Sequence, residues 1–179
     1  MVFPLDNVKD KIKESDLIPK KRSIGYNCLY NDMTTYIDGL YNFNRGRKAC
    51  DTDVKISVLW SKHVKYDKMI TIYTFTMIMS LIGYITFVLS ECWTGINVLT
   101  GVVTALLSIA LLIILFFCIT NIVHNVKADQ YNYIRTAVYY YNDYKYKNSL
   151  SVESRVMSEL LESVIVQLVS IVKEENKNG

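Results

Sequence analysis

The stretch VLTGVVTALLSIALLIILFFCIT, residues 98–120, is 23 residues without a formal charge, and MITIYTFTMIMSLIGYITFVL, residues 69–89, is another 21. At the rise of an α-helix each covers roughly 30 Å, the thickness of a bilayer's hydrocarbon core. Between Met69 and Val126 the 58 residues hold one charge, Glu91. The other 36 of the 37 charged residues therefore fall in the flanks. The overall 51% hydrophobic content is thus an average over two populations, one suited to lipid and one to water. A soluble globule with a single core would mix them at the period of its helices or strands. Only 7 glycines and 2 prolines occur, which disfavours a turn-rich β fold. The 14 tyrosines, among abundant Asn, Lys and Ile, are read as compositional bias.

The expected fold is an all-α membrane protein, a two-transmembrane hairpin (69–89 and 98–120) with cytoplasmic N- and C-terminal helices. The connection at 90–97, SECWTGIN, contains no Lys or Arg, whereas Arg45, Arg47, Lys48, Lys55, Lys62, Lys65 and Lys68 precede the first span and Lys127 and Arg135 follow the second. The positive-inside rule puts both termini in the cytoplasm, with Trp93 as an interfacial anchor on the far side. Residues 1–68 carry 13 basic and 9 acidic groups and residues 127–179 carry 7 of each, so attraction to anionic lipid is expected from the N-terminal side. No cleavable signal peptide is expected, because the first apolar run begins only at residue 69.

Residues 1–25 read as a mobile arm or a short helix that docks weakly, having few apolar side chains. From 26 to 43, Leu29, Met33, Tyr36, Ile37, Leu40 and Tyr41 recur at three or four residues, the pattern of an amphipathic helix. NRGRK at 44–48 is expected to break it, and Asp51 is a candidate N-cap for a stalk running through Val54, Val58 and Val64 into the first span. The region 26–68 is thus cytoplasmic helix and stalk, and 121–179 holds the C-terminal helices. Past the second span, Val126, Tyr133, Ala137, Tyr140 and Tyr144 share a face. NSLS at 148–151 interrupts that helix, with Ser151 a candidate N-cap. The last helix, 152–172, carries an apolar stripe of Val156, Leu160, Leu161, Val164, Leu168 and Ile171. Packing within the chain accounts for that stripe; a bundle shared between subunits is the other reading, and it makes Val156, Leu160, Val164, Leu168 and Ile171 candidate oligomerisation residues.

The sequence offers little chemistry. Cys28, Cys50 and His63 lack the paired spacing of a zinc site, and His124 reads as part of a polar belt beside Asn121 and Asn125. Glycine-rich phosphate loops, G-x-S-x-G, H-E-x-x-H and Cys-x-x-Cys are all missing from the sequence. Neither catalytic residues, cofactor nor metal is expected, and the chain is not expected to be an enzyme or to bind nucleic acid directly. Cys92, placed outside, could pair with its copy in a neighbour, while Cys28 and Cys50 should stay reduced. Within the spans, Thr76, Ser80 and Gly83 on one helix and Asn97, Gly101, Thr104 and Ser108 on the other recur at three and four residues. Such faces permit close helix packing or, in an oligomer, line a narrow path; ordinary packing needs nothing further.

A cytoplasmic helix, two spans with a very short external turn, and a following helix containing KADQYNYIRTAVYYYNDY (127–144) resemble the SLATT family, small two-transmembrane proteins associated with bacterial nucleotide-signalling conflict systems. The resemblance covers roughly 26–172 and rests on architecture and hydrophobic spacing, so it transfers no site residues. It implies an oligomeric inner-membrane effector of antiviral defence that permeabilises the bilayer when a partner detects infection. With no sensor domain fused here, a cytosolic sensor or a directly bound signal is the implied partner, beside lipid and further copies of the chain. Two alternatives stand next to it: a phage holin, whose short basic tail this charge-balanced C-terminal region does not match, and a non-pore scaffold that recruits a cytosolic enzyme.

Overall fold

The computed structural model describes residues 11–44, 51–95, 97–142 and 151–178. Among them there is no strand. A short 3-10 turn (Glu14–Leu17) precedes four helices: α1 (Ile24–Asn44), α2 (Asp51–Thr94), α3 (Val98–Asn142) and α4 (Val152–Asn178). The expected break at 44–48, Tyr144, and residues 148–150 of the expected interruption lie largely or wholly outside the described residues. Asp51 is the first residue of α2, so the cap position expected at Asp51 falls on residue 50, also outside them. Two compact units result, one from residues 1–61 with 131–179 and one from residues 62–130. The long helices α2 and α3 each contribute to both.

The first unit has a core of side chains from α1, α3 and α4. On α1, Met33, Ile37 and Leu40 are buried as their spacing predicts, while Leu29, Tyr36 and Tyr41 pack partly against them. Tyr30 and Tyr26, about one and two turns earlier, complete the stripe. Ser23 starts the helix, its Oγ accepting the Tyr26 N–H at 3.1 Å, two residues ahead of the expected start. On α3 the buried residues are Tyr133, Ile134, Ala137 and Tyr140; Val126, expected on the same face, lies in the other unit and is exposed. Ser151 caps α4 as expected, accepting from the Ser154 N–H at 3.4 Å. The helices α1 and α4 run antiparallel. Gly39 sits against Met157, and at the opposite end the Lys20 N–H donates to Asn176 Oδ1 at 3.4 Å. A Cβ on Gly39 would meet Met157 Cε at 2.8 Å, so the missing side chain sets the close approach there.

Of the two readings of 1–25, a mobile arm or a short docked helix, residues 12–19 follow the second, being held down around a short helical turn; residues 1–10 lie outside the described part. Leu17 is fully buried, and its carbonyl accepts the Tyr26 hydroxyl at 2.7 Å. Asn142 Nδ2 donates to the Ile12 carbonyl at 3.0 Å, and Arg135 Nε meets the Glu14 carboxylate at 3.2 Å. Leu17, with Ile12 and Ile18 packed partly against the same core, and three backbone or side-chain acceptors dock the segment. Composition alone registers none of those partners, because they lie 9 to 130 residues away in sequence.

Burial raises the Tyr26 phenol above its ordinary value of 10.0; Glu175 adds to the rise and Arg22 opposes it. The folded state therefore favours the neutral phenol. Its contribution to stability is intact below about pH 10, the unfolded value, and is lost as pH rises through the folded one. A plot of thermal midpoint against pH between 9 and 11 should fall more steeply for the wild type than for Tyr26→Phe. At neutral pH the variant should melt lower, having lost the bond to Leu17.

The second unit is a hairpin of the central parts of α2 and α3. The connection expected at 90–97 is shorter, because α2 continues through Ser90, Glu91, Cys92 and Trp93 to Thr94. None of these residues breaks a helix; Gly95 does. It adopts φ +95°, and its N–H donates to the Glu91 carbonyl at 3.1 Å, the left-handed closure for which glycine is suited. Thr100 Oγ1 then accepts the Asn97 N–H at 2.9 Å and closes the first turn of α3. Only residues 95–97 separate the helices.

Both helices are long and apolar enough to cross a membrane. Their apolar side chains face outward: Ile72, Phe75, Ile82, Leu106, Leu112 and Phe116 are each more than half exposed. Cys118 is the one buried hydrophobic side chain among the described residues of this unit. An apolar surface on that scale calls for lipid or another molecule to cover it. Nothing else among the described residues of this unit covers it.

Candidate functional site: the apolar hairpin

Three cross-helix contacts set the register of the hairpin. His63 Nδ1 lies 2.9 and 3.0 Å from the two carboxylate oxygens of Asp129. Tyr73 and Phe117 meet edge to face with ring centres 6.0 Å apart. Tyr84 Oη and Ser108 Oγ are 2.6 Å apart. Ser108 already donates to the Thr104 carbonyl at 2.8 Å, so the tyrosine is the donor. Each pair lies symmetrically, within one residue, about the turn at 95–96. Successive pairs are 9 to 12 residues apart, about three helical turns. The two helices thus stay in one register from the turn to the His63–Asp129 pair.

The candidate packing residues divide against this frame. Ser108 faces α2 and takes part in the cross-helix bond, and Thr104, one turn away, is half-buried. Gly83 and Gly101 face open space, with nothing within 4 Å of a Cβ at either position. Thr76 is exposed, and Asn97 lies in the turn rather than in a helix. The hydroxyls are satisfied locally. Thr76 donates to the Ile72 carbonyl, Ser80 to Thr76 and Thr104 to Thr100, at 2.8 to 2.9 Å. The small-residue faces therefore contribute one cross-helix bond within the chain, through Ser108, and leave both glycines open.

Of the other sequence candidates, His63 is paired with Asp129 rather than with a cysteine; His124, Cys28 and Cys92 are exposed, and Cys50 lies outside the described residues. Among the oligomerisation candidates, Val164 and Leu168 are buried in the first unit's own core and Ile171 packs partly against it. Val156 and Leu160 remain exposed.

Sequence patterning does not single out Tyr84, Tyr73 or Asp129. The signal was available: once the turn is fixed near residue 96, residues equidistant from it face each other. Replacing Tyr84 by Phe and Ser108 by Ala, singly and together, should give a coupling of about 0.6 kcal/mol, the average for hydrogen bonds between membrane helices. Reversible unfolding of the hairpin in bicelles measures it.

Comparison with family models, curated proteins and solved structures gave no match. What the fold defines is a class: an all-helical protein with a long apolar two-helix hairpin and a separate helical unit with its own core. The open faces of the hairpin are its candidate functional surface.

Proposed function

We propose that the chain is a multi-pass protein of the bacterial inner membrane whose copies assemble and permeabilise the bilayer, in the manner implied by its resemblance to SLATT effectors of antiviral defence. The observation that carries the reading is the pair of open glycines, Gly83 and Gly101, on a hairpin whose apolar surface is otherwise uncovered. Small residues facing outward let a helix of another copy approach closely. Two helices cannot enclose a pathway, so permeation requires several subunits. Both termini lie in the cytoplasm, because the basic residues collect at the end of the hairpin away from the turn. A cytosolic sensor or a small signal acts on the first unit. It drives opening only to the extent that it binds the open assembly more tightly than the closed one.

Membrane potential in cells induced for this protein together with its neighbouring genes tests the proposal. Depolarisation under a trigger supports it; constant polarisation under every trigger refutes it. Topology has its own test in two exposed thiols. A membrane-impermeant maleimide should reach Cys92 from outside intact cells and Cys28 only after lysis.

The scaffold reading keeps a specific observation in its favour. Every hydroxyl of the candidate stripes is hydrogen-bonded within the hairpin. Membrane retention of a cytosolic enzyme, without conductance in liposomes, would select it.

A further inference from the structure

We infer that the segment leading into α1 is a docking patch for anionic lipid headgroups, an inference that rests on the hairpin spanning a bilayer. Lys20, Lys21 and Arg22 are exposed consecutive cations, and none forms an ion pair among the described residues. Arg22 instead lies over the rings of Tyr26 and Tyr30, 5.7 and 5.5 Å from their centres. These aromatic faces hold the guanidinium in place without neutralising it. No acidic residue occupies the first turn of α1. A carboxylate of α4, Glu175, is near enough for its charge to be felt at Tyr26.

Directly beside the cations Ile24 is 85% exposed, more than any other described hydrophobic residue of this unit. Within the chain both features are unfavourable. Three cations repel one another next to a helix start, and an isolated isoleucine sits in water. One partner relieves both. An anionic lipid surface attracts the cations and takes the aliphatic tip into its interfacial layer, the combination that interfacial segments use. A soluble phosphate or polynucleotide would meet the charges and leave Ile24 in water. The hairpin keeps lipid permanently available to the same molecule.

Cys28 lies one turn after Ile24 on the same helix face and is exposed, so it can carry a nitroxide once Cys50 and Cys92 are replaced by Ser and Cys118 by Ala. The full chain, one copy per nanodisc, is compared in phosphatidylcholine discs and in discs containing phosphatidylglycerol. Collisions with a water-soluble nickel chelate should fall about fivefold in the anionic discs and recover in high salt. The triple reversal K20E/K21E/R22E should restore full nickel access in anionic discs, and Ile24→Ser should restore part of it. Equal access in both lipids overturns the inference, and so does equal shielding in both, which would mean that protein covers the patch. A second nitroxide at Leu106→Cys separates the two levels of the argument. If it is shielded while the Cys28 probe ignores lipid charge, only the docking patch fails; if it too is open to nickel, the membrane reading fails.

Discussion

Ile109→Arg combined with Leu112→Arg should release the chain from membranes. Both side chains lie near the middle of the 98–120 apolar run, 56% and 66% exposed, so neither substitution fills a packed core. In water, exposed positions of this kind change stability by no more than about 0.5 kcal/mol, and two arginines would improve solubility. In a bilayer the outcome reverses. Each arginine at a helix centre costs about 3 kcal/mol on the insertion scale and replaces a residue that favoured insertion, so the pair disfavours the span by about 7 kcal/mol. The fraction resisting carbonate extraction should drop from nearly all to nearly none, while Ile109→Val with Leu112→Ile leaves it unchanged. A wild-type chain that carbonate already extracts in full would show that the hairpin is covered by protein instead of lipid.

The second large effect separates two leucines two turns apart on α4. Leu168 is fully buried among α1 and α4 side chains, whereas Leu160 is 40% exposed. Leu168→Ala leaves a cavity and should cost about 2–5 kcal/mol, enough to unfold a marginal unit. Leu160→Ala should cost well under about 1 kcal/mol in the isolated chain. Thermal unfolding in detergent, below the concentration at which copies associate, gives both values. The contrast also decides between the two fates of the α4 stripe. Where copies share a bundle through the exposed part, Leu160→Ala lowers the association constant while leaving monomer stability alone, and crosslinking yield reports that separately.

Much of this architecture can be read from the residues, and the failures have physical causes. The charge gap from 69 to 126 identifies the hairpin because charge is expensive in lipid and cheap elsewhere. Met33, Ile37 and Leu40 are legible because their spacing follows one helical face. Tyr26 and Tyr30 are not, because tyrosine suits a core and a surface equally. On α4 the apolar residues form two sets. Leu161, Val164, Ile165, Leu168 and Val172 are buried, while Val152, Val156 and Leu160, spaced four apart, drift around to the solvent side. Spacings of four advance slightly more than one turn, so a stripe followed that way leaves the core face. In the candidate site, Ser108 was legible as a small polar residue in an apolar run. Tyr84 was hidden by its ring and Asp129 by its ordinary charged surroundings, since only the partner across the hairpin gives either its role. The turn reads as longer in the sequence because Glu91 and Trp93 resemble loop residues, whereas Gly95 is what ends the helix.

The common register of the His63–Asp129, Tyr73–Phe117 and Tyr84–Ser108 pairs places a constraint on how this chain can vary in length. Inserting or deleting residues in one arm between the turn and any pair shifts every contact beyond that point, and a change that is not close to a whole number of turns also rotates the apolar surface. A deletion of equal length in both arms instead shortens the ladder and keeps its rungs. The hairpin can therefore change its length only in matched steps, one arm copying the other.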